Sequence, residues 1–79
     1  MENGQIIEAA DLVRLAKEAR IEAGHTQEQT AELLNKTQPQ ISGAEKGESR
    51  YQKTCMEMIA AFTDFELEGP AFKLKGKST

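Results

Sequence analysis

Apolar residues recur at intervals of three and four through most of the chain and switch to strict alternation near its end. Leu12, Leu15, Ala16, Ala19 and Ala23 form one stripe, with Arg14, Lys17, Glu18 and Glu22 mostly off it. That spacing predicts a helix over 9–23, closed by Gly24. Ala31 and Leu34, with Leu33 beside them, mark a second helix over 27–34. Ile41, Ala44 and Glu45 set the inner side of a third over 38–46, and Cys55, Met56, Ile59, Ala60 and Phe62 that of a fourth over 52–62. Residues 1–8 hold a glycine and no periodicity, so a loose arm is expected there.

In the tail, Phe65 and Leu67 alternate with Glu66 and Glu68, and Phe72 and Leu74 with Lys73 and Lys75, on either side of Gly69-Pro70. A hairpin would set Phe65 against Leu74, Leu67 against Phe72 and Glu66 against Lys73, with apolar groups on one face and opposite charges on the other. A strand pairing with another subunit, or a frayed tail after Ala71, is the alternative.

The stretch Thr26–Gly47 is punctuated twice in the same way. Thr26 with Gln29, and Thr37 with Gln40, both fit S/T-x-x-E/Q, in which the threonine oxygen accepts the N3 amide and the N3 side chain reaches back to the cap. Asn35 tolerates the left-handed conformation that ends a helix, and Gly47 can end the next one likewise. Two capped helices with so short a link must cross steeply, as in a helix-turn-helix. His25 and Thr30 hold the positions of a hydrophobic staple. A half-buried His25 packing on or bonding to Thr30 is expected there, in preference to a phosphate contact or pH sensor.

Seventy-nine residues suit one domain, and a chain this short buries only about 60–65% of its unfolded surface. No apolar run of about 18 residues is present, so no membrane span is expected, and the acidic start MENGQIIEAAD does not resemble a signal peptide. A cytoplasmic setting is therefore the expectation, and the single Cys55 suits it as a buried helix residue. One His and one Cys do not make a zinc site. With no nucleophile–base pair, metal cluster or phosphate loop, neither an enzyme nor a cofactor is expected.

Net charge is −3, against indiscriminate nucleic-acid binding. The distribution changes the picture: residues 1–34 carry seven acids and three bases (−4), residues 35–53 four bases and two acids (+2), and residues 54–79 four acids and three bases (−1). The positive segment coincides with the third helix and the residues just after it. A helix-turn-helix sets its second helix in the major groove, with the N-terminal residues of that helix on base edges. Gln pairs bidentately with adenine, and Ser bonds to either partner. Gln38 and Gln40 are placed for this, with Ser42 one turn along. Gln27 and Thr37, at helix starts, suit phosphate oxygens, and Lys36, Lys46 and Arg50 add charge. The bland alternatives are solvated helix formers for the glutamines, an ordinary charged face for the cations, packing over the fourth helix for Tyr51, and core filling for Met56 and Met58.

The run R-x-x-x-G-x-T-Q-x-x-x-A (Arg20 to Ala31), followed by T-Q-x-x-I-S-x-x-E-x-G (Thr37 to Gly47), resembles the Cro/C1-type (XRE) helix-turn-helix family. The likeness covers about Leu12 to Phe62, and GPAFKLK in the tail is similar to a GPGVRL-like segment of some small bacterial and prophage members. The resemblance implies a mainly α, lambda-repressor-like bundle of four helices with a short C-terminal β-hairpin or strand. It divides the chain into an arm (1–8), a DNA-binding domain (9–63) and a tail (64–79) that is the candidate for dimerisation. It further implies a homodimer on double-stranded operator DNA that regulates transcription, as a repressor. Carried over by position, Gln27 is a phosphate contact, Gln38, Pro39, Ser42 and Gly43 face the groove, and Gln40 lies near the backbone or a base edge. Arg20 and Glu45 fall where the family pairs a buried salt bridge. Three departures stand out: Gly43 has no side chain where relatives use a long polar one, Pro39 offers only apolar contact, and Ala44 is small where a large residue is usual, which leaves space for Met56 or Met58. The alternative, suggested by the acidic first helix and apolar tail, is a protein-binding antitoxin or anti-regulator.

Overall fold

The computed structural model describes residues 1–69 and 71–77. The order is α1 (Ala9–Glu22), α2 (Gln27–Leu34), α3 (Gln38–Glu45), a 3-10 turn (Ser49–Tyr51), α4 (Gln52–Phe62), β1 (Phe65–Glu68) and β2 (Lys73–Gly76). Four helices and a short antiparallel pair make the mainly helical bundle that the sequence implies. Ala23 and Lys46 cap α1 and α3, so each helix stops one residue short of the expected end.

Both capping boxes form. Thr26 Oγ1 accepts the Gln29 amide at 3.0 Å while Gln29 Oε1 accepts the Thr26 amide at 2.9 Å. Thr37 and Gln40 repeat this at 3.3 and 2.8 Å. Asn35 is left-handed at φ 56°, so its amide bonds back to α2 and the chain turns at once toward α3. These local devices make the steep α2–α3 corner.

The core runs between α1 and α4, which form the most extensive helix–helix packing. Leu12 and Ala16 of α1 share one core with Cys55, Met58 and Ile59 of α4 and with Ala31, Ile41 and Ala44 of α2 and α3. Met58 is fully buried and Met56 only half-buried. Thr30 is buried but satisfied, since its hydroxyl donates to the Thr26 carbonyl at 2.9 Å. Leu33, expected beside the inward residues of α2, is instead 56% exposed. It lies about 200° round the helix from Ala31, so a helix that buries Ala31 turns Leu33 to solvent. His25 is half-buried, as expected, but among the described residues its side chain makes no hydrogen bond to Thr30; its ring packs on Phe62, with centroids 4.9 Å apart.

The tail forms the hairpin, but in another register. Leu67 faces Leu74, Glu66 faces Lys75, Glu68 faces Lys73 and Phe65 faces Gly76. Each partner is displaced by two residues from the expected one, so every side chain stays on its expected face. The displacement comes from the turn, where Gly69 (φ 72°) and Phe72 (φ 47°) take up left-handed conformations and Phe72 leaves the strand. Pro70, part of the expected turn, lies outside the described residues. Leu74 is fully buried, and Phe65, Leu67 and Phe72 pack against the core.

The arm is not loose. Gly4 donates to Leu74 O at 2.8 Å, Leu74 to Gln5 O at 2.7 Å and Ile7 to Phe72 O at 3.2 Å, which lays residues 4–7 along the far edge of β2. Gly76 also donates to Asn3 Oδ1 at 3.0 Å. Ile7 is buried in the core. The backbone of β2 would otherwise present an unpaired edge, and this pairing covers it.

Candidate nucleic-acid interface

α3 is eight residues long, so its faces are easily assigned. Ile41 and Ala44 point into the core, and the side chain of Glu45 is turned inward as half of an ion pair. Gln38, Pro39 and Lys46 are exposed, and Ser42 is half-buried. At about 100° per residue these four share one outward arc.

The first residue of that arc is held from behind. Gln38 Nε2 donates to Gln27 Oε1 at 2.7 Å, and Gln27 Nε2 donates to Glu45 Oε1 at 3.1 Å. Glu45 receives Arg20 in a two-pronged contact, Nε to Oε2 at 2.5 Å and Nη2 to Oε1 at 3.0 Å. The side chains of this pair are only 12% (Arg20) and 4% (Glu45) exposed, and Arg20 Nη1 also donates to the His25 carbonyl at 2.8 Å. Arg20 therefore ties α1, α3 and the α1–α2 corner together, as the family position implies. Among the described residues, the relay leaves the Gln38 amide oxygen and one N–H without a partner, the donor–acceptor pair that an adenine edge requires. A shallow cleft of about 410 Å³, lined by Arg20, Thr26, Gln27, Glu28 and Gln38, opens beside it.

Other expected site residues already have partners within the chain. Gln40 uses its oxygen, and Thr37 its hydroxyl, in the cap. Lys36 reaches Glu57 of α4 at 3.5 Å. Arg50 is 71% exposed and bonded to Glu48 Oε1 at 2.9 Å. Gly43, expected to face the groove, is buried. A Cβ built on it would lie 2.5 and 2.6 Å from ring carbons of Tyr51 and 2.7 Å from Glu48 Oε2. The side chain it lacks is replaced by a neighbour, the Tyr51 ring, over which Arg50 stacks 4.8 Å from the centroid. The sequence marks Tyr51 as a packing residue, and the surface it packs on is the bare backbone at Gly43.

Behind the interface, Cys55 Sγ donates to the Ala44 carbonyl at 3.4 Å. Burial, and secondarily the charge of Glu45, pushes this thiol up to about 11.

A polar helix start projecting from a steep two-helix corner, braced by an ion pair turned inward, defines a helix-turn-helix. The protein-family model described as Helix-turn-helix matches residues 17–54. This segment belongs to the Cro/C1-type helix-turn-helix family, and the chain is a DNA-binding regulator of that general class. No curated protein and no solved structure matches the chain. Among the described residues, no helix is long and apolar enough to cross a membrane.

Proposed function

We propose that the chain is a sequence-specific transcriptional repressor that binds a two-fold operator as a homodimer, with α3 in the major groove. The observation that carries this reading is the Gln38–Gln27–Glu45–Arg20 relay, which holds the Gln38 amide, a group suited to an adenine edge, at the exposed start of α3. Gln38, Pro39 and Ser42 face base edges, Gln27 and Thr37 lie against phosphate, and Lys36, Lys46 and Arg50 add charge along the backbone. Gln40 acts in this scheme as the cap that fixes the start of α3.

Selection from a random pool of duplex DNA tests it. The expected result is one enriched, pseudo-palindromic site, bound by two chains and competing well with bulk DNA at moderate salt. Failure to enrich any sequence at low salt would sink the reading. The antitoxin alternative loses one of its two supports, because the apolar side chains of the tail are turned onto the protein's own core.

A further inference from the structure

We propose that Gly43 is a seat for Tyr51, and that Tyr51 is a positioning residue that presents the Arg50 guanidinium to a DNA phosphate on the wall of the groove. The proposal rests on the reading of α3 as the groove helix and extends it to the turn after that helix.

The observations are geometric. Tyr51 ring carbons occupy the space a Cβ of residue 43 would need, so the ring lies directly on the helix backbone. Ala is a better helix former than Gly, and the glycine here trades that gain for the close approach. Arg50 lies over the same ring, with its guanidinium carbon 4.8 Å from the centroid, and Glu48 holds its Nη2 at 2.9 Å. An exposed arginine ordinarily samples many rotamers; the ring and the carboxylate restrict this one, so less entropy is lost when it meets an anion.

The position selects the anion. Gly43 lies about 40° beyond Pro39 and about 60° beyond Lys46 around α3, off the arc that carries Gln38 and Ser42. A helix seated in a groove turns its outermost arc to the base edges and its flanks to the sugar–phosphate walls. A planar, two-pronged guanidinium on that flank matches a phosphate oxygen pair.

The test is a double-mutant cycle on the full chain, read as affinity for the selected duplex against salt, with circular dichroism and thermal melting to show that each variant is folded. Arg50→Ala is expected to weaken selected and bulk DNA alike by several-fold and to lower the salt slope by about one. Tyr51→Leu should produce the same several-fold loss in the natural background and almost none on top of Arg50→Ala. Tyr51→Phe, which keeps the ring, should bind as the natural protein does. Gly43→Ala, which displaces the ring, should copy Tyr51→Leu and serves in its place if the leucine variant does not fold.

Losses that simply add would overturn the proposal, because a Tyr51 that only supports the fold acts independently of Arg50. So would an Arg50→Ala variant with unchanged affinity and salt slope. If that result came while Gln38→Ala still lost discrimination, the groove reading would survive and only this proposal would fall. Loss of base discrimination at one position in Arg50→Ala, with an unchanged salt slope, would move Arg50 onto a base edge and likewise overturn it.

Discussion

Gln27 and Gln38 meet side chain to side chain across the helix-turn-helix corner, 2.7 Å apart, and Gln27 is itself anchored on Glu45. The exposed amide at the start of α3 is thereby coupled to the interior.

This coupling separates two roles. Gln38→Ala should relax discrimination at one base pair by about 1–3 kcal/mol. Gln27→Ala leaves Gln38 in place but unanchored, so discrimination should fall at the same base pair by a smaller amount. Competition binding against single-base variants of the selected site measures both. An effect of Gln27→Ala spread evenly over all sequences would instead mean that Gln27 acts only on phosphate.

Lys46 lies on the outward arc of α3, exposed and without an ion-pair partner among the described residues. Lys46→Ala should weaken every sequence alike and lower the salt slope by about one. Filter binding across a salt series checks it.

The Arg20–Glu45 pair is buried and two-pronged. Removing either partner alone leaves an uncompensated buried charge, so Arg20→Ala or Glu45→Ala should cost about 3–5 kcal/mol in urea unfolding. Glu45→Ala should also blunt DNA discrimination, because Gln27 loses its acceptor. A loss well under about 1 kcal/mol would show the pair to be solvated in practice.

Leu74 is wholly buried and Ile7 nearly so. Leu74→Ala should destabilise by about 2–5 kcal/mol, and removal of residues 1–7 should lower the melting temperature by exposing the edge of β2. Deleting 64–79 should therefore unfold the chain rather than release folded monomers. If the tail also dimerises, it does so through its outward face, where Glu66 and Glu68 oppose Lys75 and Lys73. Reversing Glu66 and Glu68 to lysine and measuring mass by light scattering tests that role; an unchanged dimer would place the interface elsewhere.

Cys55 gives a pH signature. Its thiol is raised from about 9.0 to about 11 by burial, with a smaller push from Glu45. The folded state holds the proton more tightly than the unfolded state, so this contribution is complete below pH 9 and is lost between pH 9 and 11. Stability should fall across that window, and Cys55→Ala should flatten the fall. The native thiol should react slowly with alkylating reagents at about pH 8, and unfolding should restore ordinary rates.

The helix boundaries, both capping boxes and the Arg20–Glu45 pairing were legible because they rest on short-range spacing or on a family pattern. The register of the hairpin was not, because a left-handed Phe72 lengthens the turn without leaving any mark in the alternation. The side that Leu33 faces was not legible either, because an apolar residue beside a stripe looks like part of it until the packing chooses a side.

By itself, the amino-acid order determined where each helix starts and, to within one residue, where it stops, because caps and periodicity act within four residues of one another. It also determined that one polar helix start would stand at a steep corner. Only the tertiary structure decided that the arm closes the edge of β2, that Gly43 lies beneath Tyr51 and that Gln27 links Gln38 to Glu45. Those contacts join residues 8 to about 70 positions apart, and which of them form depends on how the packed elements bring their surfaces together, a property no local spacing encodes.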